Sequence, residues 1–461
     1  MQTNNSEETQ IFIRPNFWYD IENSDKEHAH IIMIATKPDI IKQAPLYLEL
    51  KSRGELVILV HTGQQYDYNL SKWVLTEFWM DVDINLKIFW KLHKKYSLVI
   101  ERLWNFLNEL NEEYGKLPIP YVHGDTMTAT TADKAAFLNK FAVVHVEAGI
   151  RTFTPKREFF HNLFKEYQKW NFNWDEYYKS LKNFSIYELW SIEPYPEQFD
   201  TRWIEASTWL FAAPVELYRS TLRAEWFPKE NIKVVWNTIA DAIEISKKKI
   251  INSNAFEKYP NMKWKDFIFI TIHRRENTEK KERFLAIYNW IKKVIESGVY
   301  VCFLWLYASE SAIDKYWLRS DIEELRIKHK ENFAYGAALA HHAEVIDMIS
   351  VAGAVVTDSW SMQEEANIVG TPCVTIRFGS DRTETILAGT NIIAPPINSS
   401  LIADIIKWAI GNQKMKGENL YGENVAKKIV DEVEKKLTKN GKLFRYDDER
   451  LELEQFFNWN I

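Results

Sequence analysis

The sequence contains little glycine. At an average usage of about 7%, a chain of this length would hold about 32 glycines, yet 461 residues include 15. Because glycine enters the positive-φ region without steric cost, the deficit predicts few tight turns and few phosphate-binding loops. Tryptophan is in excess at 19 residues, and the two counts together come to 34. The positions of the tryptophans are therefore worth tracing.

Cysteine, long apolar runs and basic clusters are also scarce. Cys302 and Cys373 lie within the apolar runs VYVCFLW and TPCVTI, which predicts buried strand residues rather than disulfides or metal ligands. Two cysteines without a predicted disulfide, together with a polar N-terminus that lacks a signal sequence, favour a cytoplasmic protein. No apolar stretch approaches the roughly 18 residues of a membrane span. With 58 basic and 64 acidic residues and no basic run, nucleic acid is a poor candidate partner.

Short β-branched runs alternate with longer segments of helical periodicity. This rhythm predicts an α/β protein with two doubly wound, Rossmann-like domains, because repeated βα units form parallel sheets covered by helices on both faces. The predicted boundaries are 27–225 for the first domain, 226–412 for the second and 413–461 for a helical tail. Residues 156–190 are charged, aromatic and helical in texture. We expect them to form an inserted hairpin that packs on the first domain, with a lid as the alternative.

Polar residues gather where the predicted strands end: Asp125, Glu147, His273 and Asp358. The carboxyl ends of parallel strands form the ligand-binding edge of this architecture. One acid at a strand end is commonly a helix N-cap, but four such positions favour a shared cleft.

The segment TDSWSMQEEANIVGTP predicts a strand, a turn and a helix whose N-terminus would favour an anion. Arg274, Arg275, Arg377 and Arg382 follow other predicted strands and supply positive charge. The pattern predicts a phosphorylated small molecule bound between the two domains. The paired acids add the possibility of proton transfer.

Eight motifs in order resemble those of the non-hydrolysing UDP-N-acetylglucosamine 2-epimerases: TKPDIIKQAPL, VHGDT, HVEAGIRT, PEQFDTR, VVWNTIADAI, TIHRRENT, TDSWSMQEEA and DRTETILAGT. The resemblance covers most of residues 30–395 apart from 156–190. It implies a GT-B-like pair of domains with the active site in the interdomain cleft. It also implies interconversion of UDP-GlcNAc and UDP-ManNAc for polysaccharide biosynthesis, without metal or added cofactor, by a homodimer.

In that family the C2 proton of the sugar is removed and UDP leaves C1, forming 2-acetamidoglucal, after which UDP adds back. The resemblance implies that Asp125, Glu147 and Glu197 are the acid and base candidates and that His273 acts near the diphosphate. It also implies a set of substrate-binding residues: Lys37, Lys42, Arg274, Ser359, Trp360, Ser361, Glu365 and Arg382. Within this set, Ser359 to Ser361 match a phosphate turn, and Glu365 matches an acid that holds ribose hydroxyls.

Other interpretations stay open at this point. A hydrolysing 2-epimerase, releasing ManNAc and UDP, shares the fold, and a retaining glycosyltransferase would share a UDP-sugar cleft. Gln64, Gln65 and Tyr66 occupy the stretch where many bacterial members carry an allosteric Gln-His-Arg motif, so we do not expect activation by substrate.

Four tryptophans stand where glycine is expected. Trp236 and Trp360 replace glycines of the family motifs, and Trp79 and Trp226 follow predicted helices where glycine commonly ends a helix. One hypothesis is a catalytically dead relic that keeps the fold and binds nucleotide sugars at most. The hypothesis that we favour is that UGA codons, read as glycine in the source organism, have been translated as tryptophan.

Overall fold

The computed structural model describes residues 11–63, 68–88, 92–169, 172–188, 197–263 and 265–440. The chain forms two compact units. Unit 1 comprises Met1–Ile150, Pro196–Ala242 and Gly422–Ile461, and unit 2 comprises Arg151–Tyr195 and Ile243–Tyr421. The candidate allosteric residues Gln64, Gln65 and Tyr66 lie outside the described residues.

The strands are short and mostly buried. In chain order they are β1 (Phe12–Ile13), β2 (His28–Ile34), β3 (Leu56–His61), β4 (Ile84–Asn85), β5 (Leu117–His123), β6 (Val144–Val146), β7 (Thr154–Pro155), β8 (Tyr187–Glu188), β9 (Leu210–Ala213), β10 (Ile232–Val234), β11 (Phe267–Thr271), β12 (Tyr300–Trp305), β13 (Phe333–Ala337), β14 (Ala354–Thr357), β15 (Cys373–Thr375) and β16 (Asn391–Ile393).

The helices lie between the strands, as the βα rhythm predicts. They are α1 (Phe17–Glu22), α2 (Lys37–Ser52), α3 (Tyr68–Glu77), α4 (Leu92–Glu112), α5 (Met127–Leu138), α6 (Arg157–Tyr167), α7 (Trp174–Leu181), α8 (Glu197–Glu205), α9 (Glu216–Ala224), α10 (Ile239–Lys247), α11 (Ala255–Lys258), α12 (Arg275–Thr278), α13 (Lys281–Glu296), α14 (Tyr307–Lys315), α15 (Arg319–Lys328), α16 (His342–Val351), α17 (Trp360–Val369), α18 (Thr383–Ala388), α19 (Ser399–Ala409) and α20 (Val425–Asn440). No helix in the described ranges is long and apolar enough to cross a bilayer.

Unit 1 is built on an eight-stranded sheet of order β1-β4-β3-β2-β5-β6-β9-β10. All neighbours pair in parallel except β1 with β4. Residues Ala29 to Ile34 of β2 are all buried, because helices cover both faces of a parallel sheet. The order reverses between β2 and β5, which makes the edge beyond these two strands the expected ligand position.

Unit 2 contains a six-stranded parallel sheet of order β13-β12-β11-β14-β15-β16. If β11 is counted as the first strand, this is the 3-2-1-4-5-6 order of the Rossmann fold. The switch point lies between β11 and β14, and the small antiparallel pair β7 and β8 stands apart from the main sheet. The predicted α/β class with two parallel, helix-covered sheets is therefore confirmed.

The units differ from the predicted domain boundaries in three places. Residues 226–242 and the helix α20 belong to unit 1, where Arg53, directly after α2, pairs with Asp431 on α20 at 2.7 Å. The segment 156–190, which forms α6 and α7 in its described part, belongs to unit 2 and not to the first domain as predicted. The physical reason is that Tyr177 and Tyr178 donate hydroxyl hydrogen bonds to the carbonyls of Ile393 and Gly389.

Three tryptophans occupy left-handed positions directly after helices. Trp79, Trp226 and Trp317 have φ values of 52°, 67° and 62°. In each case the tryptophan amide donates to the carbonyl three residues earlier, and the next amide donates to the carbonyl five residues before it. Gly370 and Gly389 end their helices with the same pair of bonds. This is the Schellman arrangement, in which glycine is the usual left-handed residue.

Trp236 also has a positive φ, 70°, in the turn between β10 and α10. One residue outside this group, Lys140, ends α5 in the same left-handed conformation, so the conformation alone does not demand glycine. A bulky aromatic residue rarely enters this region even once, and here tryptophan does so four times. The structure thus supports the glycine hypothesis at Trp79, Trp226 and Trp236 and adds Trp317.

Trp360 is different. It is the first residue of α17, after the N-cap Ser359, and a first helical residue has an ordinary backbone conformation that accepts any side chain. The backbone at Trp360 therefore does not require glycine. Its ring instead faces Arg382, whose guanidinium carbon lies 4.8 Å from the ring centroid. Any obstruction by Trp360 therefore comes from the indole itself.

Candidate functional site

The residues of unit 1 that lie at its switch point are brought together by α2. Thr36 and Asp39 form a capping box at the start of this helix: Asp39 Oδ2 accepts from the Thr36 amide at 3.1 Å and from its hydroxyl at 2.9 Å. This cap fixes the first turn of α2 directly after β2. One turn further on, Lys42 points inward and is fully buried.

Glu147 stands directly after β6 in a strained conformation. Its φ is 65°, a left-handed value for a side chain that is only 2% exposed. Lys42 Nζ donates to Glu147 Oε1, and Asn237 Nδ2 donates to the same oxygen at 2.6 Å. Backbone strain at a buried, charged residue is typical of functional sites, where the surrounding contacts hold an unfavourable conformation in place.

His123, at the end of β5, lies between two carboxylates. Its Nδ1 is 3.3 Å from Asp39 Oδ1, and its Nε2 is 3.4 Å from Glu147 Oε1. Burial by itself would lower the pKa of His123, but Glu147 and Asp39 outweigh burial and raise that pKa to about 9. Asp39, His123, Glu147, Lys42 and Asn237 together are called the Glu147 cluster below.

Three predicted residues of unit 1, Asp125, Lys37 and Glu197, are not members of the Glu147 cluster. Asp125 is half-buried in the turn after β5, next to Gly124, and a Cβ on Gly124 would lie 3.6 Å from Glu147 Oε2. Lys37 is the first residue of α2. Glu197 begins α8 and is half-buried, and its charge adds to the effect of burial in raising the pKa of Asp200 to about 6.

The buried ion pair between Lys42 and Glu147 is expected to contribute to the stability of the folded protein. Lys42→Met is expected to lower the free energy of unfolding by about 3–5 kcal/mol, because it leaves a buried carboxylate without its cation. Urea denaturation measures this change. The control is Lys26→Met, which breaks a partly exposed pair with Glu55 and should cost at most about 1 kcal/mol. Equal losses in the two variants would contradict the prediction.

In unit 2, Asp358 organises the residues at the switch point. It follows β14, is fully buried, and accepts from the amides of His273 and Arg274 at 2.9 and 3.0 Å. Asn277 Nδ2 donates to the same carboxylate at 3.0 Å. The segment after β11 is thereby held against the end of β14, which places the predicted residues His273 and Arg274 at the carboxyl ends of the parallel strands.

The pKa of His273 is lowered. Removal from solvent is the main cause; Asp358 opposes it, and the cations Arg274 and Arg377 reinforce it. We therefore expect a neutral imidazole at pH 7. Arg377 pairs with Asp381 at 2.7 Å, and its Nη2 is buried with no hydrogen-bond partner in the described part of the chain. A buried N–H in this state is costly unless a ligand accepts from it.

The helix α17 carries most of the remaining predicted residues. Ser359 is its N-cap, and Ser361 donates its hydroxyl to Glu365 Oε1 at 2.7 Å. Glu365 is also 3.4 Å from His342 Nε2. Arg382 Nε donates to the buried Glu364, so its charge is balanced within unit 2. The side chains named in this paragraph are all buried, whereas Trp360, the first residue of α17, is partly exposed.

The prediction from sequence missed three members of the Glu147 cluster. Asp39, His123 and Asn237 each stand within a motif already quoted, in TKPD, VHGD and VVWNT. Asp39 and His123 each lie two residues from a predicted site residue, Lys37 and Asp125, but nothing in the chain order shows that they meet Asn237. Within the described ranges, no group of three or more His, Cys, Asp or Glu side chains is arranged to hold a metal ion.

Residues 48–166 and 191–434 match the family model described as UDP-N-acetylglucosamine 2-epimerase. The chain belongs to this family.

Several named members of the UDP-N-acetylglucosamine 2-epimerase family resemble the chain over most of its length. The Neisseria meningitidis epimerase is 27% identical over 87% of this chain and 98% of its own, and that of Bacillus subtilis is 28% identical over 87% and 93%. The crystal structure of the Neisseria meningitidis epimerase bound to UDP-GlcNAc covers 88% of this chain and 100% of its own, with a TM-score of 0.70 at 24% identity. The last comparison shows that the fold is shared.

Proposed function

We propose that the protein interconverts UDP-GlcNAc and UDP-ManNAc by eliminating and re-adding UDP. Family membership and relatives named UDP-N-acetylglucosamine 2-epimerase support this proposal. The observation that carries it is Glu147, a buried carboxylate in a strained backbone that is fixed by Lys42 and Asn237. A carboxylate oriented in this way can act as a general base toward a carbon acid.

The proposed reaction begins with transfer of the C2 proton to a carboxylate. The C2–H electron pair forms the C1=C2 bond, and the C1–O bond breaks with its electrons passing to the β-phosphate of UDP. In the second step the same phosphate oxygen attacks C1, and a carboxylic acid delivers a proton to the opposite face of C2. We assign these roles to Glu147, Asp125 and Glu197, and two of the three must act on opposite faces.

Residues of unit 2 are proposed to bind UDP. The N-terminus of α17 offers backbone amides to phosphate, and Arg377 offers a buried guanidinium N–H. A neutral His273 can donate a hydrogen bond to the departing diphosphate. Glu365 is proposed to hold the ribose hydroxyls, with Lys37, Arg274 and Arg382 as further substrate contacts.

The test is incubation with UDP-GlcNAc in deuterated water. Epimerisation predicts UDP-ManNAc with deuterium at C2 and little free sugar, measured by NMR. Release of ManNAc and UDP would identify a hydrolysing epimerase instead. The same assay is run on a variant in which glycine replaces five tryptophans: Trp79, Trp226, Trp236, Trp317 and Trp360. If this variant leaves the substrate unchanged and undeuterated, both the non-hydrolysing and the hydrolysing epimerase are rejected. We expect the active species to be a homodimer, which light scattering during the assay would report.

The indole of Trp360 is expected to hinder UDP binding. Trp360→Gly should raise UDP affinity by about tenfold, roughly 1.4 kcal/mol, by clearing the N-terminus of α17. Isothermal titration calorimetry measures the change. Trp317→Gly is the matched control, since it makes the same substitution in unit 2 at an exposed helix end and should leave UDP affinity unaltered. Equal affinity in Trp360→Gly and the unsubstituted protein would remove the steric argument.

A further inference from the structure

Three side-chain nitrogens approach the same oxygen of Glu147. Lys42 Nζ, Asn237 Nδ2 and His123 Nε2 all approach Oε1. Oε2 lies on the side of Gly124, where a Cβ would come within 3.6 Å of it. Rotation of the carboxylate would therefore have to break contacts at Oε1 with three separate segments of the chain.

The orientation of the His123 ring is fixed by Asp39, on the side away from Glu147. Asp39 Oδ2 is committed to the Thr36 cap, which leaves Oδ1 directed at His123 Nδ1. An imidazole whose Nδ1–H is held by a carboxylate presents Nε2 in a defined direction. Asp39, His123 and Glu147 therefore form a continuous line from the start of α2 to the residue after β6.

The charges around His123 favour its cationic form. Asp39 and Lys42 face it from α2, and Glu147 faces it from the end of β6. The nearby His61, on β3, does not neutralise Asp39: its Nδ1 accepts from the Gly63 amide at 2.9 Å, and burial lowers its pKa to about 4. His123 thus lies against both carboxylates, and Lys42 donates to Glu147.

We propose that His123 is a positioning residue for Glu147, held by Asp39, and that it orients the Glu147 carboxylate toward the C2 proton. This inference rests on the proposed function, because it assigns Glu147 as a proton-handling group. His123 acts through Glu147 and not on the substrate. Its contribution is orientation, for which a displacement of about 1 Å can reduce a rate by about 100-fold.

The test compares His123→Gln with the unsubstituted chain, both with glycine at the five tryptophan positions named above. We expect kcat for C2 deuterium exchange to fall by up to about 100-fold, with little change in KM. The cation exists below pH 9, so the activity of the parent protein should fall as pH rises through about 9. That alkaline limb should be missing in His123→Gln. A role in folding alone would not remove it.

Two further variants sharpen the result. Asp39→Asn can still cap α2 through its oxygen while donating to Nδ1, which leaves Nε2–H on a neutral imidazole, so its loss of kcat should be smaller. His30→Gln removes another buried histidine of unit 1, bonded to the Tyr121 hydroxyl at 2.9 Å, and should keep the alkaline limb. An unchanged kcat and an unchanged limb in His123→Gln would overturn the proposal.

Failure of the proposed function has a different signature. A parent protein that incorporates no deuterium rejects the epimerase proposal whatever His123 does. Crystal structures of the parent and His123→Gln then decide the positioning role separately. A rotated or disordered Glu147 carboxylate in the variant would support it, and an unchanged carboxylate would overturn it.

Discussion

Replacing Glu147 by glutamine is expected to slow deuterium incorporation at C2 by about 1,000-fold, within the range for loss of a general base. An amide oxygen can still accept from Lys42 and Asn237, so the cluster keeps its shape, but it cannot take a proton from carbon. UDP affinity should stay within about twofold of the parent value, because the proposed UDP contacts lie in unit 2. Single-turnover exchange and calorimetry measure the two quantities.

The control for this prediction is a buried carboxylate of unit 1 outside the Glu147 cluster. Asp133, on α5, is fully buried and accepts from the Ser207 hydroxyl at 2.6 Å. Asp133→Asn should leave the exchange rate within a few fold of the parent. A Glu147→Gln protein that exchanges C2 within about tenfold of the parent rate would exclude Glu147 as the base.

Replacing Trp79, Trp226, Trp236 and Trp317 together by glycine is expected to stabilise the protein by about 2–4 kcal/mol. A left-handed conformation costs a side-chain-bearing residue about 1–2 kcal/mol, and the greater unfolded-state freedom of glycine returns about 0.5–1 kcal/mol of that. Three of the four side chains are more than half exposed, so little packing is lost. Urea denaturation of the single and combined variants measures the gain.

Tryptophans in other surroundings provide the controls. Trp73 is 53% exposed within α3, where glycine should cost about 1 kcal/mol. Trp290 is fully buried on α13, and its loss should cost about 3–5 kcal/mol. A combined variant less stable than the parent would mean that the four tryptophans are native. The gene answers the same question directly, since UGG at codons 236 and 360 would refute the glycine hypothesis.

The sequence by itself determined the fold class and the family. Buried parallel strands need unbroken apolar runs, so the alternation of strands and helices can be recognised from the sequence without a structure. The eight motifs and their order identified the family. Glu147 and Lys42 were both predicted from these motifs as site residues. The tryptophans at glycine positions were also visible, because a motif states which residue is expected in each turn.

The tertiary structure alone decided which of these residues meet. Glu147 lies 105 residues from Lys42 and 90 from Asn237, and only the crossover connections of the sheet bring the three together. The left-handed backbone of Glu147 and the fourth such tryptophan, Trp317, are likewise properties of local geometry. Side-chain convergence and dihedral angles depend on packing between distant segments. Composition, periodicity and motif order do not encode these features in a readable form.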